Sequence, residues 1–135
     1  MLDVNSGSCC RYRQLHNGIH EFVFTEASRM AVDEWFSCLT RATTAAAPGA
    51  ITRCLVLSTA PDPLPIAYLF KRAQRWVRQA PPVHQTRICF LHHPDFIYPH
   101  VKSFVRAWQL SYGNAVRFFP DTHRDDAERW LLAER

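Results

Sequence analysis

Arg53-Cys54-Leu55-Val56-Leu57-Ser58 is an apolar run entered by one arginine, and Thr59 then leads into Ala60-Pro61-Asp62-Pro63-Leu64-Pro65. Four consecutive apolar residues stopped by a proline-rich connection suit a strand covered on both faces rather than one with a wet side. Beyond it, Ile66, Leu69, Phe70, Ala73, Trp76 and Val77 recur at helical spacing, with Pro65 expected at the first helical position. Pro81-Pro82 ends that helix, and Arg87-Ile88-Cys89-Phe90-Leu91 repeats the pattern of a buried strand. Two such strands joined through a helix pair in parallel by a right-handed crossover.

The same alternation extends in both directions. Upstream, Ala31, Trp35, Cys38, Leu39 and Ala42 form one helical stripe, in a helix expected from Ala27 to about Ala46 with Thr25 as its cap. Pro48-Gly49 stops it. Before it, Arg11–Leu15 and Ile19–Thr25 read as strands joined at His16-Asn17-Gly18, because Asn-Gly supplies the positive φ that a tight hairpin needs. Downstream, His92-His93-Pro94-Asp95 leads into a helix expected to start near Pro99, with Val101, Phe104, Val105 and Trp108 inward. Ala115 to Phe119 reads as the last strand. A final helix, capped by Asp121 or Thr122, carries Ala127, Trp130 and Leu131 toward the sheet. The expected order is ββαβαβαβα, an α/β fold with a mostly parallel sheet of about five strands. All nine prolines fall in loops or at boundaries of these elements.

At 135 residues, 47% apolar and 13% aromatic, the chain suits one core-building domain over 11–135, behind a flexible tail over 1–10. No run approaches the roughly 20 apolar residues that span a bilayer. Met1 to Cys10 lacks a basic start and an apolar core, so no secretory signal is expected and the default location is cytoplasmic. Five cysteines without paired spacing read as buried thiols at Cys38, Cys54 and Cys89, and as a frayed reduced pair at Cys9 and Cys10. The formal charge of +4 is mild. Tryptophans at 35, 76, 108 and 130, one per helix, read as core anchors.

The hairpin followed by helix–strand units, the Arg53–Leu57 strand, and the ending are the features that carry a resemblance. In that ending, Val116-Arg117-Phe118-Phe119 precedes Asp126-Ala127-Glu128-Arg129-Trp130-Leu131. Over roughly 11–133 the chain resembles the STAS domain of anti-sigma-factor antagonists and the related SpoIIAA-like proteins. That resemblance implies a non-catalytic regulatory or protein-interaction module of bacterial-type signalling. It also implies a protein partner, room for a small-molecule ligand, a homodimeric option and no cofactor. In the regulatory branch a kinase phosphorylates a serine in an Asp-Ser-Ser-Gly type loop. Here Asp62-Pro63-Leu64-Pro65 stands at that place without a hydroxyl, so the usual serine phospho-switch is not expected.

Candidate site residues follow from the parallel sheet, because open α/β sheets bind ligands beyond the carboxyl ends of their strands. Ser58, Thr59 and Asp62 occupy one such loop, and His92, His93 and Asp95 the next. Together they are the expected interaction or ligand surface. The alternative is a small metal-binding protein or enzyme using His92, His93 and Asp95, with His100 turning back from the next helix. Zinc requires tetrahedral convergence, and adjacent histidines point apart, which favours solvated loop histidines. A hydrolase needs a strained nucleophile turn, and no Gly-x-Ser-x-Gly sequence is present. Ser58 and Thr59 then serve the turn backbone. Four scattered glycines exclude a dinucleotide fingerprint. Lys71, Arg75 and Arg78, with Arg72 beside them, form a basic helical face that reads as solvated rather than as a nucleic-acid site.

Overall fold

The computed structural model describes residues 9–79, 85–93 and 115–133. The helix expected from Pro99, together with Asp95, His100 and Trp108, lies outside the described residues. Strands β1 (Cys10–Gln14), β2 (His20–Phe24), β3 (Ile51–Ser58), β4 (Gln85–His92) and β5 (Ala115–Pro120) form one sheet in the order β1-β2-β3-β4-β5. β1 pairs antiparallel with β2, and the other three pairings are parallel. Helices α1 (Arg29–Ala45), α2 (Ile66–Gln79) and α3 (Arg124–Leu132) complete the described elements, a short 3-10 turn at Asp121–His123 leading into α3.

The sequential strand order decides where the helices go. Each right-handed crossover moves the chain one strand in the same direction, so α1 and α2 fall on one face. Strand alternation sends Phe22, Phe24, Cys54, Val56, Ile88, Phe90 and Val116 to that face, where they bury against Trp35, Phe36 and Leu39 of α1 and Leu69, Ala73 and Trp76 of α2. The intervening residues, Ile19, Leu55, Cys89 and Leu91, point the other way and meet Ala127 and Leu131 of α3. A second core therefore lies beneath the C-terminal helix, with half-buried Trp130 packed against it.

Local details differ from the sequence expectation in several places. Neither Asp121 nor Thr122 caps the last helix: the cap position of α3 is His123, with no side-chain cap bond, because Asp121–His123 form the 3-10 turn that leads into it. The expected tail over 1–10 ends early: Cys9 and Cys10 are buried, and their backbone N–H groups donate to Glu34 Oε1 at 3.0 and 3.2 Å. Cys10 opens β1, so the strand starts one residue before Arg11. The cap of α1 is Ser28, whose hydroxyl accepts the Ala31 N–H at 3.1 Å; Thr25, expected in that role, lies three residues earlier, with its backbone N–H donated to Cys9 O at 2.9 Å. Pro65 precedes α2 rather than opening it, its carbonyl accepting from Leu69 N at 2.9 Å. The hairpin turn is as expected. Leu15 O accepts the Gly18 N–H at 2.9 Å and Gly18 takes φ 91°.

Candidate functional site

β3 ends where its ladder can no longer be extended, since prolines at 61, 63 and 65 carry no N–H. The chain turns there with bonds from its own hydroxyls. Ser58 Oγ accepts the Ala60 N–H at 3.1 Å, and Thr59 donates to Phe24 O through its amide at 2.9 Å and its hydroxyl at 3.4 Å. β4 ends in His92, which pairs in register with Pro120 at the end of β5. Parallel alignment thus brings the carboxyl ends of three adjacent strands to one rim.

A cavity of about 520 Å³ opens at this rim. Ser58, Thr59, Asp62, His92 and His93 all line it, so five of the six site residues expected from sequence share one wall. Asp95, the sixth, lies outside the described residues. Sequence reading missed Asp121, which also lines the cavity. Its signal is its place directly after β5, equivalent to the loops after β3 and β4, which in the sequence competes with the reading of Asp121 as a helix cap.

The floor is apolar, with Val56, Leu64, Leu69, Phe90, Leu91 and Phe118 contributing. Phe90 and Phe118 stack with centroids 5.0 Å apart and planes at 15°, and Phe90 meets the Trp35 ring at 5.6 Å. The floor is therefore continuous with the main core and held by it. The rim is polar: Ser58, Thr59, Asp62 and Asp121 are exposed.

His92 Nδ1 lies 3.0 Å from His93 O. A carbonyl only accepts, so Nδ1 carries the hydrogen and Nε2 of the neutral ring keeps a lone pair. Half-buried His92 and exposed His93 occupy different environments, as adjacent residues at a strand end do. Among the described residues no three His, Cys, Asp or Glu side chains are grouped to hold a metal ion. Ser58 Oγ receives an N–H and has no imidazole bonded to it among the described residues.

Elsewhere, the exposed basic residues Lys71, Arg75 and Arg78 lie on α2, but Arg72 is bound to Asp33 at 2.9 Å and lies over the Phe36 ring at 4.9 Å. That pairing takes Arg72 out of the basic face. The five cysteines are free and buried, and burial pushes the Cys54 thiol well up and the Cys89 thiol up to about 12, which keeps both as unreactive thiols. No helix among the described residues is long and apolar enough to cross a membrane. No family model matches the chain, and no curated protein or solved structure is similar to it at the level that would establish a relationship.

Proposed function

We propose that this chain is a regulatory binding module of STAS-like or SpoIIAA-like type. It acts by capturing a small ligand or a partner's apolar side chain at the carboxyl-end rim, without the usual serine phospho-switch. The observation that carries this reading is the cavity of about 520 Å³ with an aromatic floor and a polar rim. Its volume falls in the range of small-molecule sites, and its few polar groups suit orientation of a ligand more than bond breaking. Both hydroxyls at the end of β3 are engaged in the turn, which supports binding over nucleophilic chemistry.

A fragment screen read by backbone amide shifts tests this. Fragments with an aromatic ring and one polar group are expected to move amides in Leu57–Asp62, Phe90–His93 and Phe118–Asp121. Ala60→Trp, which places an indole at the mouth of the cavity, is expected to weaken those hits at least about tenfold. Hits scattered over the helices, or unaffected by Ala60→Trp, would end the proposal.

A further inference from the structure

The opposite ends of the same strands carry an arrangement that the rim does not explain. Each of the last three strands of the sheet places an arginine on the α3 face: Arg53 in β3, Arg87 in β4 and Arg117 in β5. Arg53 and Arg87 are direct register partners, and Arg117 sits two residues beyond Ala115, the partner of Arg87. Like charges directly opposite on neighbouring strands are destabilising unless something between them is negative.

Part of that negative charge comes from the end of α3. Arg53 Nε donates to Leu131 O at 2.7 Å and Arg87 Nη2 to Trp130 O at 2.7 Å. The Arg87 guanidinium lies over the Trp130 ring at 4.3 Å, and Arg117 approaches the same ring at 5.8 Å and the Phe119 ring at 4.8 Å. A helix C-terminus offers only roughly half a negative charge. Two guanidiniums bond to it and a third lies near the Trp130 ring beside it, and among the described residues none of the three forms an ion pair with a carboxylate. Among the described residues Arg87 Nε is buried with no hydrogen-bond partner. Burial and the repulsion of Arg53 and Arg117 pull the Arg87 pKa below its ordinary value, as expected for an uncompensated positive cluster.

The geometry points to a site for a phosphoryl dianion on the α3 face of the sheet, formed by Arg53, Arg87 and Arg117 beside the C-terminal end of α3. The two carbonyl bonds use one nitrogen each of Arg53 and Arg87, which leaves terminal N–H groups of both, and the whole exposed fork of Arg117, to meet a tetrahedral oxyanion. Guanidinium forks match phosphate oxygens bidentately, and a charge of two complements what the helix end leaves over. The site lies apart from the carboxyl-end cavity, none of whose lining residues it uses, and stands independently of the reading given for that cavity.

The test uses the full chain in chloride buffer at fixed ionic strength, with inorganic phosphate and phenyl phosphate as probes. Saturable binding of phosphate is expected, with a rise in melting temperature that perchlorate at equal ionic strength does not produce. Arg117→Gln is expected to weaken it about tenfold or more, and Arg117→Lys to recover only part, because an ammonium keeps the charge and loses the fork. The Arg117 side chain is exposed and makes no hydrogen bond among the described residues, so these variants leave the fold in place; an unchanged amide spectrum away from β5 verifies that. Equal affinity for the two probes assigns free phosphate, and tighter phenyl phosphate assigns an organic phosphomonoester. Absence of saturable binding, or binding unchanged in Arg117→Gln, overturns the site.

Discussion

Replacing Trp35 with alanine is expected to lower folding stability by about 4 kcal/mol, the range for removing a large aromatic from a packed core. Trp35 is fully buried on α1 and meets rings from three elements. Its centroid lies 6.3 Å from Phe22, 6.2 Å from Phe24, 4.6 Å from Phe36 and 5.6 Å from Phe90. Three of these contacts are edge-on, the arrangement in which ring quadrupoles attract. Domains of this size are stable by about 5–15 kcal/mol, so the loss is a large fraction of the total. Urea unfolding measures it, and a loss below about 2 kcal/mol would mean that α1 does not share this core. Trp35→Phe separates packing from polarity. Among the described residues the indole Nε1 is buried with no partner, so phenylalanine removes an unsatisfied donor along with some contact area. The expected net change is under about 1.5 kcal/mol.

Glu21→Gln is expected to cost about 2–3 kcal/mol at neutral pH and to flatten the acid limb of the stability profile. The Glu21 residue is 4% exposed, on the α3 face of β2. Its carboxylate takes Arg13 Nε at 2.6 Å and Arg124 Nη2 at 2.5 Å, and Arg124 also holds Glu128 at 2.8 Å. The pair ties the edge hairpin to the start of α3. Burial by itself raises the proton affinity of this carboxyl, but hydrogen bonds and charge from Arg13 and Arg124 outweigh it, and the net pKa lies below the ordinary 4.5. A lowered folded-state pKa means that the stabilisation is fully present above the unfolded value and is lost as pH falls through the folded one. Both arginines keep water contact, with side chains 65% and 35% exposed, which holds the cost toward the lower end. Urea midpoints between pH 7 and pH 3 check this. An acid slope as steep in Glu21→Gln as in the parent would place the acid sensitivity elsewhere.

The fold was legible wherever local pattern and tertiary role coincide. Cys54-Leu55-Val56-Leu57 and Ile88-Cys89-Phe90-Leu91 read as strands covered on both faces, and they are, with α1 and α2 on one side and α3 on the other. The stripes Trp35-Cys38-Leu39 and Leu69-Ala73-Trp76 read as buried helix faces for the same reason. What escaped was whatever depends on a distant partner. Cys9 and Cys10 look like a polar leader until Glu34, more than twenty residues away, takes their amides. Thr25 is as good a cap as Ser28 in isolation, and the start of the helix at Arg29 selects Ser28.

The candidate site divides along the same line. Ser58, Thr59, Asp62, His92 and His93 were findable because strand ends in a parallel sheet converge whatever their side chains. Asp121 met that criterion too, but its capping propensity hid it. The arginine cluster was invisible because Arg53 and Arg87 each precede an apolar run and were read as its boundary. Only register and strand parity show that they share a face with Arg117 beneath α3.

All of this depends on the two parallel pairings that bring the carboxyl ends of β3, β4 and β5 together. Interstrand nuclear Overhauser contacts measure it directly. Strong Hα–Hα cross-peaks are expected between β1 and β2 alone, about the Cys10↔Phe24, Tyr12↔Phe22 and Gln14↔His20 pairs, with amide-to-Hα contacts linking Leu55 to Cys89 and Phe90 to Phe118. Hα–Hα cross-peaks between β3 and β4 would show antiparallel pairing, send His92 to the far end of the sheet from Ser58, and contradict the account.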